Sequence, residues 1–291
     1  MRTSFVLCLS VAVLSAGCAK KSDQREFTLQ GQVLSVADNH QQATINHEAI
    51  KGFMAAMTMP YNVHDPKQLE GIAPGDLVNA TLIVETNDAY LTNLKKVGEA
   101  PLPKPPAEAA TPSASSGFEL LKTGEAVPDA TFVDQNGKRR AFKAFQGAPV
   151  LVTFIYTKCP MPTFCPLMDQ HFAAIQKKMK DDPALRGRAH LVSISFDPIN
   201  DTPPVLKAHA KKLGADPGTW TFLTGDRDEI DKFAMRFGVS VARATTDQRD
   251  ITHNLRTAIV DAGGKLVKVY VGNEWTPDQA LADLAPIVRA N

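Results

Sequence analysis

The sequence has no excess of charge of either sign, no apolar run long enough to cross a membrane, and few cysteines. Its 32 basic and 31 acidic side chains give a net charge of +1, which excludes the basic surface that nucleic-acid binding requires. The apolar run at residues 5–14 is too short to span a bilayer. With 291 residues, of which 44% are hydrophobic, the chain is nevertheless large enough for two globular domains.

The N-terminus predicts export from the cytoplasm. Arg2 precedes the apolar run, and small residues then lead to Cys18, so residues 1–17 are predicted to be a secretory signal. This end resembles a bacterial lipobox, which implies that Cys18 becomes lipidated and that residues 18–28 form a tether. The expected location is the periplasmic face of a bacterial membrane. An ordinary secreted protein that is cleaved nearby is the alternative.

Cysteine is scarce, with four residues in the whole chain. Cys8 would leave with the signal and Cys18 would be acylated, so Cys159 and Cys165 would be the remaining thiols in an oxidising compartment. A disulfide across five intervening residues would restrain little of the chain. A functional thiol pair is therefore favoured over a purely structural bridge.

The chain divides at residues 99–117, which are rich in Pro, Ala and Ser and are predicted to be a linker. Residues 29–98 have β-type patterning with turn signals, which predicts a small all-β, OB-like barrel. After the linker, apolar strands alternate with helices, and a hairpin and a last helix follow. The predicted strands are 150–156, 191–196 and 219–223, the helices 167–181, 203–213 and 227–237, and the hairpin strands 257–260 and 266–271. This order predicts an α/β thioredoxin-like domain over 118–291.

The two cysteines lie between the first central strand and the helix that follows it. A helix N-terminus and the nearby Lys158 favour the thiolate there. A thiolate is both a nucleophile and a ligand for soft metals.

This region resembles the Sco/SenC family of copper metallochaperones. The matching stretches are VTFIYTKCP at 152–160, VSISFDP at 192–198 with DTP at 201–203, and THN at 252–254. The resemblance implies that Cys159, Cys165 and His253 bind copper, that the two cysteines also form a redox-active disulfide, and that Asp197 supports the site. The family usually has three residues between its cysteines, whereas this chain has five, so both the geometry and the redox potential can differ.

His253 stands where thioredoxin-type reductases, by resemblance, have a cis-proline, and residues 251–256 contain no proline. An imidazole beside two thiolates suits Cu(I) or Cu(II).

A second candidate site precedes the linker. In a strand, Met57 and Met59 project from the same face, and thioethers bind Cu(I) without forming disulfides. Such a methionine pair can also simply fill a core. His47 followed by Met57 and Met59 resembles the CusF-type periplasmic copper-binding barrel, which implies that these three residues bind copper. Met54 falls where that family has a tryptophan and is a possible fourth ligand.

Together these features predict a metallochaperone, without turnover, that delivers copper during cytochrome c oxidase assembly. The expected partners are the copper-site subunit of the oxidase, the membrane through a lipid anchor, and a periplasmic thiol reductase or another copper chaperone. The alternatives are a thiol-disulfide oxidoreductase that reduces the cysteines of the oxidase copper site, and a copper-resistance buffer.

The linker would let the two domains meet. A flexible linker of this length spans roughly 25 Å, so each domain would encounter the other at an effective concentration on the order of millimolar. Copper could therefore pass from the barrel to the second domain.

Overall fold

The computed structural model describes residues 24–103, 119–243 and 251–290. The predicted signal at 1–17, the lipidation site at Cys18 and most of the predicted linker lie outside these residues. Within the described ranges, no helix is both long and apolar enough to cross a membrane.

The N-terminal part is a closed five-stranded barrel with the strand order β1-β2-β3-β5-β4. Its strands are β1 (Arg25–Val36), β2 (Gln42–His47), β3 (Met57–Val63), β4 (Asp76–Val84) and β5 (Ala89–Glu99). Alternate side chains such as Leu29, Val33 and Ile45 fill the interior, as the strand period of two requires. β1 begins at Arg25, inside the segment predicted to be a tether.

Gly31 allows β1 to pass close to the end of β2. A Cβ atom at Gly31 would lie 2.6 Å from the Asn46 carbonyl oxygen and 2.8 Å from the Cα of His47. Only glycine can occupy this position without moving the strand that carries His47.

The C-terminal part is a mixed seven-stranded sheet, with the order β14-β13-β8-β9-β10-β6-β7, covered by helices. Its strands are β6 (Thr131–Asp134), β7 (Arg139–Ala141), β8 (Val150–Ile155), β9 (His190–Ser195), β10 (Trp220–Thr224), β13 (Arg256–Val260) and β14 (Leu266–Val271). The helices are α1 (Cys165–Asp181), α2 (Pro203–Leu213), α3 (Arg227–Arg236) and α4 (Pro277–Arg289). A separate two-stranded sheet is formed by β11 (Val241–Arg243) and β12 (Ile251–His253), which follow α3 in the sequence and precede β13.

Local signals explain these boundaries. α2 begins after Thr202 with Pro203 in its first turn, and it ends at Gly214, which has the left-handed φ of 67°. Thr276 and Gln279 form a capping box at the start of α4. The predicted central strands and helices are present with ends that differ by at most two residues, and the predicted fold class is confirmed.

The central strands position the chemistry. β8 pairs in parallel with β9, and β9 pairs in parallel with β10, so their carboxyl ends share one edge of the sheet. The loop after β8 carries Cys159 at this edge, and β12 ends there with His253.

Candidate metal centre

The loop between β8 and α1 carries the two cysteines, and a buried carboxylate holds its start. Asp201 is fully buried and accepts hydrogen bonds from the Thr157 backbone N–H at 2.9 Å, from the Thr157 hydroxyl, and from the Ser195 hydroxyl at 2.5 Å. Sequence reasoning included Asp201 in a matching stretch but assigned it no role. The loop therefore starts from a fixed point two residues before Cys159.

His253 is brought to the cysteines in a fixed orientation. Its Nδ1 lies 3.0 Å from the Asn254 carbonyl oxygen, and its ring packs against those of Phe196 and Tyr156, at centroid distances of 4.4 and 5.6 Å. The Nε2 atom then lies 3.6 Å from the Sγ of Cys165. Because Nδ1 faces this carbonyl oxygen, the other ring nitrogen, Nε2, is directed at the thiols.

This spacing suits two ligands of one ion. Sulfur and nitrogen donors bound at about 2.3 and 2.0 Å, with an angle of about 110° between them, are separated by about this distance. Cys159 is the adjacent donor, and its Sγ lies 3.8 Å from the Met161 carbonyl oxygen. Across the described ranges, no group of three or more His, Cys, Asp or Glu side chains is already arranged to hold a metal. One pair of donors, Cys165 and His253, is thus at ligand spacing, and the Cys159 sulfur lies within hydrogen-bonding reach of both.

The two thiols differ in acidity. A hydrogen bond from the Cys165 thiol, followed by one from His253, lowers the pKa of Cys159 well below its usual value, although burial opposes this. Burial, followed by the hydrogen bond with Cys159, raises the pKa of Cys165 well above its usual value. The helix N-terminus was predicted to favour the thiolate, and for Cys165 this is wrong because desolvation of the buried sulfur outweighs the dipole. The pair shares a proton, and Cys159 ionises first.

We expect alkylation of reduced Cys159 to persist into acidic solution. Because its pKa is lowered, the reactive thiolate of Cys159 remains at pH values at which a free thiol, with a pKa of about 8.5, has lost most of its reactivity. Iodoacetamide rates for each cysteine, measured by mass spectrometry between pH 5 and 9, test this. A Cys159 profile with its midpoint near that of a free thiol would contradict it.

Asp197 lines the same cavity as Cys159. It is buried, burial raises its pKa, and it accepts a hydrogen bond from the Asn200 side-chain amide at 2.8 Å. Lys158 donates to the Asn200 oxygen at 2.7 Å. Asp197 thus fixes the position of Asn200, which lines the same cavity as Cys159.

The barrel presents its own donors. His47 faces Met57 directly in the β2–β3 register, while Met59 faces Ile45 two residues further along. The Nδ1 of His47 lies 2.7 Å from the Glu48 carbonyl oxygen, and burial lowers its pKa. Among the described residues, no group forms a hydrogen bond with its buried Nε2. A neutral, oriented imidazole with an unused lone pair beside two thioethers is a donor set that fits Cu(I).

Met54 joins this group less directly. Its sulfur accepts a weak contact from the Tyr61 hydroxyl at 3.8 Å, and its side chain is half-buried above the barrel core. Tyr61 also packs edge-on against His47, with a centroid distance of 5.6 Å.

The two groups of donors face each other across a cavity of about 210 Å³. Its lining includes, as sulfur or nitrogen donors, Met54, Met57, Met59, Cys159, Met161 and His253. Met161, from the loop between the cysteines, is 4% exposed and packs into the apolar core cluster of the barrel. Gln170 also donates to Asn87 of the barrel at 3.1 Å. Sequence reasoning did not find this contact, since no pattern within either half reports on packing between them.

Comparisons with known proteins identify the relatives of each half. Residues 121–289 match the family model SCO1/SenC, and residues 26–96 match that of the copper binding periplasmic protein CusF. A SCO1 protein homolog from Bacillus subtilis is 33% identical over 160 residues, covering 54% of this chain and 80% of the relative.

Two solved structures have the same fold. A SCO1/SenC family lipoprotein from Bacillus anthracis is 28% identical with a TM-score of 0.51, covering 58% of this chain and 99% of the relative. BsSco, described as a member of the Sco family of cytochrome c oxidase assembly proteins with a disulfide switch, is 32% identical with a TM-score of 0.50, covering 59% and 99%. The soft donors of both halves and the CusF match make copper the metal that this chain suits. The chain belongs to the SCO1/SenC family and has a CusF-type N-terminal part.

Proposed function

We propose that the chain is a periplasmic copper metallochaperone that binds copper through Cys159, Cys165 and His253. The observation that carries this proposal is the 3.6 Å separation between the Cys165 sulfur and the oriented Nε2 of His253, with a second thiol beside them. A pure structural role would need neither the imidazole nor the acidified Cys159.

We propose delivery from the resemblance to a relative linked to oxidase assembly. BsSco is described as belonging to a family of cytochrome c oxidase assembly proteins, and we take the copper-site subunit of that oxidase as the acceptor. Attachment through Cys18 would hold the protein at the membrane where this acceptor lies. The proposal keeps the predicted division into a barrel, a linker and a thioredoxin-like domain at 118–291, although the first strand of the barrel begins at Arg25, before the predicted start at residue 29. A thiol reductase or another copper chaperone would act before loading.

The barrel is the second copper site in this proposal, with His47, Met57 and Met59 as ligands and Met54 as a further thioether. The unused Nε2 of His47 supports it. These donors stay available in an oxidising compartment, because thioethers do not form disulfides.

The chain's own residues prepare the cysteine site for its cargo. Cys159 supplies the first thiolate because hydrogen bonds from Cys165 and His253 stabilise its charge. Copper must displace the proton of Cys165, whose burial otherwise keeps it protonated. Phe196 and Tyr156 keep the imidazole of His253 from turning away.

A competitive Cu(I) titration of the reduced full chain tests the proposal. We expect two bound equivalents for the wild type, and one for the Cys159→Ser/Cys165→Ser variant, which keeps the barrel donors. His64→Ala is the matched control, since this exposed histidine is paired with Asp88 and should bind as the wild type does. If the wild type and the double variant bind the same number of Cu(I) ions per chain, the cysteines do not form a copper site.

A second function, thiol-disulfide exchange, is favoured by the unequal acidity of the two thiols. An acidic, partly accessible Cys159 can attack a partner disulfide, and a buried Cys165 can then resolve the mixed disulfide. The disulfide switch reported for BsSco agrees with this chemistry. Reduced cysteines are also required before copper can bind, so the two functions are compatible.

A further inference from the structure

The donors of the two halves lie on the two sides of one cavity. His47 is buried at the barrel end, behind Met57, and Cys165 is buried at the other end, behind Cys159 and His253. Neither buried end lines the cavity, whereas Met57, Met59, Cys159 and His253 do. A metal that moves between the ends must therefore cross the cavity.

Met161 contacts both sides of this cavity. It belongs to the loop between the cysteines, yet its side chain packs with the barrel core cluster and lines the cavity. Cys159 and Phe164 pack against the same cluster from the cysteine side. Leucine could provide this apolar packing equally well, but methionine adds a soft sulfur donor.

We propose that the cavity is a direct transfer path, along which Cu(I) passes from the barrel donors to the cysteine pair with the Met161 thioether as a transient ligand. This inference rests on the proposed function and identifies the source of its copper as the same chain. The earlier expectation of a flexible encounter across the linker is thereby replaced by transfer between docked domains.

The exchange needs no oxidant or reductant. Copper remains Cu(I) throughout, its bonds to His47, Met57 and Met59 are replaced by bonds to Cys159, Cys165 and His253, and Met161 is bound in between. The thiol protons that copper displaces pass to water. The direction of transfer follows from charge, because two thiolates bind Cu(I) more strongly than two neutral thioethers do.

Rapid mixing of the reduced full chain with a coloured Cu(I) chelate, bicinchoninate, separates loading from transfer. Loss of chelate colour reports the departure of copper, and the thiolate-to-Cu(I) absorption reports its arrival at the cysteines. For Met161→Leu we expect the loss of colour to be unchanged and the arrival to be about tenfold slower, a change of about 1.4 kcal/mol in the barrier. Met235→Leu, a half-buried position on α3, is the matched control and should behave as the wild type does.

Several outcomes would overturn the path. Arrival at the wild-type rate in Met161→Leu would exclude the thioether as a ligand. An arrival rate that rises in proportion to protein concentration would show transfer between molecules in place of transfer within one. Complete absence of the thiolate absorption in the wild type would instead contradict the proposed function, so the two failures are distinguishable.

Discussion

Replacing His253 with alanine should weaken Cu(I) binding at the cysteine pair by at least about 100-fold. Loss of a residue that merely orients a ligand already costs about 10–100-fold in metal affinity, and His253 is proposed as a ligand itself. Its Nε2 is fixed 3.6 Å from the Cys165 sulfur by the Asn254 carbonyl oxygen and two aromatic rings. The measurement is a competitive Cu(I) titration of the reduced full chain.

The same variant separates the two candidate functions. Hydrogen bonding from Cys165 is the main cause of the lowered pKa of Cys159, and His253 is a secondary one. Thiol-disulfide exchange should therefore slow by only a few-fold in His253→Ala. His64→Ala again serves as the control for loss of an imidazole. If His253→Ala leaves the copper affinity unchanged but impairs thiol-disulfide exchange, exchange becomes the favoured function and copper delivery the second.

Asp201→Ala should lower the free energy of unfolding of the thioredoxin-like part by about 3 kcal/mol. The substitution leaves the buried Ser195 hydroxyl without its acceptor, and it also removes the acceptor of the half-buried Thr157 N–H and hydroxyl. Leaving a buried donor unsatisfied costs about 1–3 kcal/mol, and the loss of the two Thr157 hydrogen bonds adds to this. Thr157 also anchors the cysteine loop, so copper affinity should fall as well.

Urea denaturation followed by tryptophan fluorescence measures this effect selectively. Both tryptophans of the chain, Trp220 and Trp275, lie in the thioredoxin-like part and are buried there. Asp228→Ala is the control, because this exposed carboxylate on α3 should change stability by less than about 0.5 kcal/mol. If Asp201→Ala lowers the free energy of unfolding no more than Asp228→Ala does, the Asp201 carboxylate does not anchor the cysteine loop.

Local sequence patterns were sufficient for the fold class and most element boundaries. Pro203, Gly214 and the Thr276 capping box act through their immediate neighbours, so their effect is visible in the sequence. The proximity of His253 to Cys165 could be inferred only from the family resemblance, since the two residues are far apart in the chain.

Other features depend on tertiary packing and could not be predicted. The raised pKa of Cys165 comes from its burial, which the helix dipole argument does not contain. Asp201 acts through Ser195 on β9 and Thr157 after β8, two elements that the fold brings together. Met161 is a spacer residue in the sequence and becomes part of the barrel core cluster only through docking.

The position of Met161 between the two cysteines links the cysteine loop to the barrel. In the docked structure both sulfurs are free thiols, and Met161 is seated among barrel side chains. A change in the loop that moves the two sulfur atoms relative to each other therefore also moves a side chain of the barrel core cluster. By reciprocity, any free energy that disulfide formation costs barrel docking equally favours reduction of the disulfide.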